Sequence, residues 1–364
     1  MGPRQRFGSL VAGWRGLAAF WLMILLVLAG GGVTLQILGP PPSAGLAGNK
    51  AAAVRQAAPP APRQDAVQTT ANPAPQPIAE LPQALRPGRD TPGPIADPDP
   101  ALLEPAKGQA SGLLPIIAAD GRMPMQVYAA GFDRSSRRTR IGLVLAGVGP
   151  NQADSEAAIR SLPGGVTLAF SPYAINPTKL LAAARLREHE YLLSIPMEPQ
   201  GFPLNDPGPH ALMTSVTPEQ NLERLDWVLS RITGYVGATG ALSGLRGERF
   251  AGVPDQMIPV LTVLARRGLL YIDPRPDAAV LPLVWGRSVD LVIDEPPDAA
   301  RIDDRLAQLV RMAREKGSAL GVAGAVRPVT TDRIAAWANG LLADGLALTP
   351  VSALAQPPPG GVAK

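Results

Sequence analysis

Beyond residue 113 the chain alternates between two textures. Short, continuous apolar runs fall at 141–145, 166–170, 191–195, 235–238, 269–272, 289–293, 319–322 and 346–351. Each is too short for a helix and lacks strict in/out alternation, as expected of strands buried on both faces. Between most of them lie stretches with apolar residues at helical spacing: 153–162, 178–187, 217–231, 254–267, 303–316 and 332–343. Thr217-Pro218-Glu219-Gln220 combines a capping hydroxyl, a proline at the first helical position and a Gln three residues after the cap. Gly268, Gly317 and Gly345 follow the ends of three other stretches, where a left-handed residue stops a helix. The alternation predicts an α/β fold with a parallel sheet covered by helices. A closed (β/α) barrel fits the repeat count; an open doubly wound sheet is its rival.

The N-terminal part has a different pattern. Residues 16–38 contain no charged side chain, and Arg4, Arg6 and Arg15 precede them. Such a span crosses a hydrocarbon layer about 30 Å thick as a helix. The positive flank places the N-terminus (1–15) in the cytoplasm and the remainder outside. A cleaved signal peptide is the alternative, although its apolar region is normally shorter, roughly 7 to 15 residues. Residues 39–112 are rich in Pro, Ala and Gln, as in "GPPPSAG" and "QAAPPAPRQ". They predict a disordered linker, spanning roughly 45 Å as a coil and on the order of 200 Å as extended polyproline. The folded domain is expected at 113–355, followed by a disordered tail at 356–364.

Composition narrows the chemistry. The chain of 364 residues is 46% hydrophobic but only 4% aromatic, so Ala, Val, Leu and Ile must build the core. Cysteine is absent, which removes disulfides and thiolate metal sites, and there are two histidines, His189 and His210. The net charge of +4 comes mostly from scattered Arg, with no dense basic tract interleaved with aromatics, and argues against nucleic-acid binding. "GVGPNQ" (147–152) lacks the third glycine of a dinucleotide fingerprint and carries Pro inside the turn. Ser171, Ser194 and Ser243 have neither a G-x-S-x-G elbow nor a neighbouring His.

In a parallel α/β fold the functional groups sit just after the strands. Those positions hold Ala146 and Gly147, Ser171, Ser194 and Glu198, Thr239 to Ala241, Asp273 and Arg275, Asp294 and Glu295, and Gly321 to Ala325. Carboxylates beside an Arg suit either a hydroxyl-rich ligand or a general acid/base pair; a ring of salt bridges closing the sheet end is the structural alternative. His189 precedes a strand and suits capping or packing. His210 lies in a Pro/Gly loop that can overhang the strand ends. Trp227 and Trp337 fall on helices and suit packing.

The blocks "VTLAFSPYA" (166–174), "LLSIPMEP" (192–199), "NDPGPHALMTS" (205–215), "NLERLDWVLSRITGYVG" (221–237) and "RRGLLYID" (266–273) resemble the divergent polysaccharide deacetylase family over roughly 113–354. The resemblance implies a deformed (β/α) barrel of the glycoside hydrolase/deacetylase type, related to metal-dependent carbohydrate esterases. It implies an envelope location, which agrees with the apolar span and its positive flank, and the two together give the expectation of a single-pass inner-membrane protein with its domain in the periplasm. It also shows substitutions. Where catalytic relatives carry an Asp pair after the first strand, this chain has Ala146 and Gly147. Ser194, Ala241 and Ala325 stand near positions where histidines are usual. The expectation is therefore a domain without metal or other cofactor, whose Glu198, Arg249, Asp273 and Arg275 line a cleft for polysaccharide, such as murein glycan, or for an envelope protein partner. The alternative is a working hydrolase that removes acetyl groups from an N-acetylated polysaccharide. It would use Asp273, Glu198 and His210 and would call for a divalent metal.

Overall fold

A computed structural model describes residues 86–359, apart from 109, 277, 280 and 281, together with Trp21 and Met23, which are helical and exposed. The predicted membrane span at 16–38 and the linker up to 85 otherwise lie outside the described residues. No described helix is long and apolar enough to cross a membrane.

The apolar runs form parallel strands. After a small antiparallel pair, β1 (Leu103–Pro105) and β2 (Leu113–Pro115), come β3 (Thr139–Val148), β4 (Thr167–Phe170), β5 (Tyr191–Ser194), β6 (Gly237–Thr239) and β7 (Leu270–Asp273). The remainder are β8 (Gly286–Ser288), β9 (Leu291–Val292), β10 (Ser318–Ala323) and β11 (Leu346–Leu348). The main sheet runs β8-β7-β6-β5-β4-β3-β10-β9, with β11 beside the start of β3. Its two edges, β8 and β9, are joined in sequence by Val289 and Asp290. The Val289 N–H donates to Asp273 O at the end of β7, and the Asp290 N–H donates to Leu320 O on β10. One split strand thus spans both edges and curls the sheet into a deformed barrel, not an open doubly wound sheet. Of the expected run at 289–293 only Leu291–Val292 is strand; its companion, Gly286–Ser288, precedes the run.

Alternating residues of each strand serve two cores. Ile141, Leu143, Leu145, Leu168 and Leu193 pack outward with Ile159, Leu180, Leu225, Leu309 and Ile334 of the surrounding helices. Val144, Ala146, Ala169, Leu192, Ile272 and Val322 face the interior, where Leu102, Tyr128 and Leu354 pack with them. The helices are α1 (Pro124–Val127), α2 (Gln152–Ser161), α3 (Pro177–Leu186), α4 (Pro218–Leu229) and α5 (Glu248–Ala251). They continue with α6 (Pro254–Arg266), α7 (Ala299–Lys316), α8 (Pro328–Gly340) and α9 (Val351–Leu354). The Thr217/Gln220 capping box forms, and Gly317 closes α7 in the left-handed region.

Two expected boundaries move. The linker does not extend to 112: Ile95 and Leu102 are buried in the interior core, and β1 pairs with β2. The domain also continues past 355, because Gln356 exchanges two backbone hydrogen bonds with Gly286. At the strand-start end, buried Glu190 accepts from Thr167 Oγ1 (3.1 Å), Ala130 N (3.1 Å), Ser352 N (3.0 Å) and Ser352 Oγ (2.6 Å). One carboxyl thereby ties both terminal segments to the sheet.

Candidate functional site at the barrel mouth

The first strand delivers no reactive group because its end is built for close packing. A bulge interrupts the β3–β4 ladder between Leu145 and Val148. Within it Gly147 adopts φ +76°, and a Cβ there would stand 3.2 Å from Ser243 Oγ and 3.5 Å from Gly324 O. The loop after β6 turns back on itself at Ser243-Gly244, with mutual backbone bonds between Leu242 and Leu245. A Cβ on Gly324 would meet the Gly244 Cα at 2.8 Å. The ends of β3 and β10 are therefore covered by the β6 loop, and only glycine permits that approach.

Among the described residues, the buried carboxylates at this end are all engaged. Glu198 accepts from the Thr214 N–H (2.7 Å) and the Thr214 hydroxyl (2.6 Å) through one oxygen. Its other oxygen lies 2.9 Å from Arg249, whose side chain is 57% exposed. Asp273 is held in a fork by Arg275 Nε (3.0 Å) and Nη2 (2.7 Å), and this carboxylate raises the Arg275 guanidinium above its usual range. Asp294 accepts from the N–H groups of Gly324 (2.7 Å) and Ala325 (3.2 Å) and faces Arg327 at 3.4 Å. Each carboxylate fixes a loop and aims an Arg outward.

The structure gathers most of the predicted ligand residues around the short helix α5. Arg249 belongs to it, and the Phe250 N–H donates to Glu198 O. Glu248 pairs with Arg246 (3.3 Å), which reaches Glu295 (2.5 Å), and the Glu248 charge also acts on Arg275. Arg246, Glu248 and Thr214 had no motif to mark them.

His210 is placed elsewhere. It stacks on Trp227 with ring centroids 3.5 Å apart and planes 9° apart, and Arg231 stands 4.9 Å from the Trp227 ring. Burial, then Arg224 and Arg231, push its imidazole below the usual range. No hydrogen bond or ion pair among the described residues joins His210, Glu198 and Asp273. His189 is buried, with its ring nitrogens 2.9 Å from Val166 O and 3.2 Å from Ile159 O, which is a packing role. Trp337 packs against the outer core. Ser171 Oγ accepts from the Tyr173 N–H, while Ser194 Oγ is buried without a hydrogen-bond partner.

A family model described as divergent polysaccharide deacetylase matches residues 143–355. The chain belongs to that family. No curated protein matches it. A crystal structure of uncharacterized protein ATU2773 from Agrobacterium tumefaciens C58 is similar, with 33% sequence identity and a TM-score of 0.62. The match covers 67% of this chain and 99% of that one. A divalent ion of the kind implied by related esterases needs about three nitrogen or oxygen donors converging on one point. The described residues contain no such group of His, Asp or Glu. Glu198, Asp273 and Asp294 are each committed to protein donors, and the orphan Ser194 hydroxyl is a single weak ligand. The residues at this mouth do not fit a catalytic metal.

Proposed function

We propose that this family member is an envelope protein, anchored in the inner membrane by residues 16–38 with its domain in the periplasm. There it binds a polysaccharide, or a partner protein, through the barrel rim without catalytic metal. The observation that supports this most directly is the engagement of the buried carboxylates. Glu198 and Asp273 hold Arg249 and Arg275 in place, and Arg246, Glu248 and Glu295 extend the same charged rim. Guanidiniums fixed in this way present N–H donors to sugar hydroxyls or acetamido carbonyls at reduced ordering cost.

The test is titration of the full chain with chitin-type oligomers and murein fragments, with acetate release measured in parallel. The proposal expects binding that weakens at least roughly tenfold in Arg249→Ala or Arg275→Ala, the scale of one lost charge-assisted contact, and no acetate. Binding indifferent to both substitutions removes the rim from the account. Acetate release establishes the deacetylase alternative instead.

A further inference from the structure

The opposite end of the barrel, where the strands begin, carries a charge pattern that the rim does not explain. Within "FDRSSRRTR" (132–140) four arginines lead into β3, and Arg86 and Arg187 lie at the same pole. The local fold brings them together. The Arg134 guanidinium donates to Pro87 O, and Arg140 donates to Arg134 O at 3.0 Å while standing 5.5 Å from the Phe132 ring. Burial pushes the Arg134 guanidinium below its usual range, Asp90 opposes this, and the Arg140 and Arg86 charges add to it. Arg137 and Arg138 are exposed, and their guanidiniums have no partner among the described residues. Of the carboxylates near them, Asp90 pairs with Arg134 at 3.3 Å, and Asp133 accepts from Ser135 instead. Next to Arg187, Leu186 is 74% exposed, on the rim of a cavity of about 450 Å³ that Phe132 and Arg187 also line.

The described chain begins at this pole. Gln126 donates to Arg86 O, and the Gly88 N–H donates to Met125 O, next to Gly268 at the start of β7. The polypeptide preceding Arg86 therefore joins the domain beside the arginines. We infer that this basic pole seats the domain on an anionic phospholipid surface, with Arg137 and Arg138 among the headgroups and Leu186 at their edge. The inference rests on the proposed anchor, which would hold the pole near one membrane. Guanidiniums close to an anionic bilayer act within about one Debye length, roughly 8–10 Å, so the contact is salt-sensitive.

The lack of cysteine permits a single label at Ser135→Cys, on the exposed turn beside Arg137. The full chain is reconstituted in phosphatidylcholine vesicles with or without phosphatidylglycerol, and quenching by a headgroup-attached acceptor is read. Quenching is expected only with the anionic lipid, lost in 0.5 M salt, and reduced roughly fivefold per removed charge in Arg137→Gln and Arg138→Gln. Equal quenching in neutral vesicles, or none in anionic ones, overturns the seating. So does displacement by a soluble anionic polysaccharide at concentrations that leave vesicle binding unsaturated. Flotation in 0.5 M salt reports the anchor separately. A chain that floats in 0.5 M salt but is not quenched in anionic vesicles at low salt keeps the anchor and loses the seating, whereas one that floats only at low salt with anionic vesicles loses the anchor and keeps the seating.

Discussion

Replacing Glu198 separates a clamp from a reactive group. In Glu198→Ala, Thr214 loses the acceptor for both its N–H and its hydroxyl, bonds of 2.7 and 2.6 Å to a buried charge. Hydrogen bonds to charged groups contribute about 1.5–3 kcal/mol each, and the half-buried Thr214 recovers part of that from water. Arg249 is more than half exposed, so its ion pair adds at most about 1 kcal/mol. The expected cost of Glu198→Ala is about 2–4 kcal/mol, or roughly 4–8 °C in Tm for a domain of this size. Glu198→Gln keeps an oxygen facing Thr214 but gives up the ion pair and the charge assistance of both bonds, so it should cost about 1–2 kcal/mol, less than Glu198→Ala. Urea unfolding followed by circular dichroism measures both. Equal costs for the two variants, or an Ala variant within about 0.5 kcal/mol of the parent, would refute the clamp.

Glu190→Gln should cost at least about 2 kcal/mol, more than Glu198→Gln, because all four partners of Glu190 are donors and either orientation of the amide sets its NH2 against a backbone N–H; chemical denaturation compares the two. Burial raises the Glu190 carboxyl above its unfolded value of 4.5, so through this group stability falls as pH rises from about 4.5, and a pH series of melting temperatures should show that slope flattened in Glu190→Gln. His189 has the opposite sign: burial holds it below 6.5, its stabilising neutral form is fully present above that pH, and the contribution is lost as pH falls, a limb that His189→Gln should remove from the same series. Gly147→Asp puts a carboxylate where the family resemblance leads one to expect it, but the positive φ costs about 1–2 kcal/mol and Ser243 crowds the new side chain, so calorimetry should find a lower Tm and no zinc binding.

The architecture was legible where single segments carry their own signals. The run at 141–145 is the heart of β3, the Thr217 box caps α4, and Gly317 ends α7. Three features escaped because they depend on distant partners. Leu102 sits among prolines and reads as linker, yet the barrel interior buries it completely. The run at 289–293 gave no hint that its strand is confined to Leu291–Val292 or that Gly286–Ser288 just before it serves the opposite edge of the sheet. At the mouth, the spacing of Asp273 and Arg275 suggested their pair, whereas the Thr214 donors to Glu198 are set by a loop turn sixteen residues on. His210 occupies an overhanging loop as expected, but Trp227 captures its ring. The substitutions at Ala146 and Gly147 were visible in sequence; the glycine packing that now occupies their surroundings was not.

The central claim is that the carboxylates at the barrel mouth hold loops and arginines, leaving no set of donors for a metal. Zinc titration of the metal-free full chain by calorimetry tests it most directly. The account predicts no binding tighter than that of a surface site, unchanged in Asp294→Asn. A single tight zinc per chain, lost in Asp273→Asn or Asp294→Asn, would contradict it.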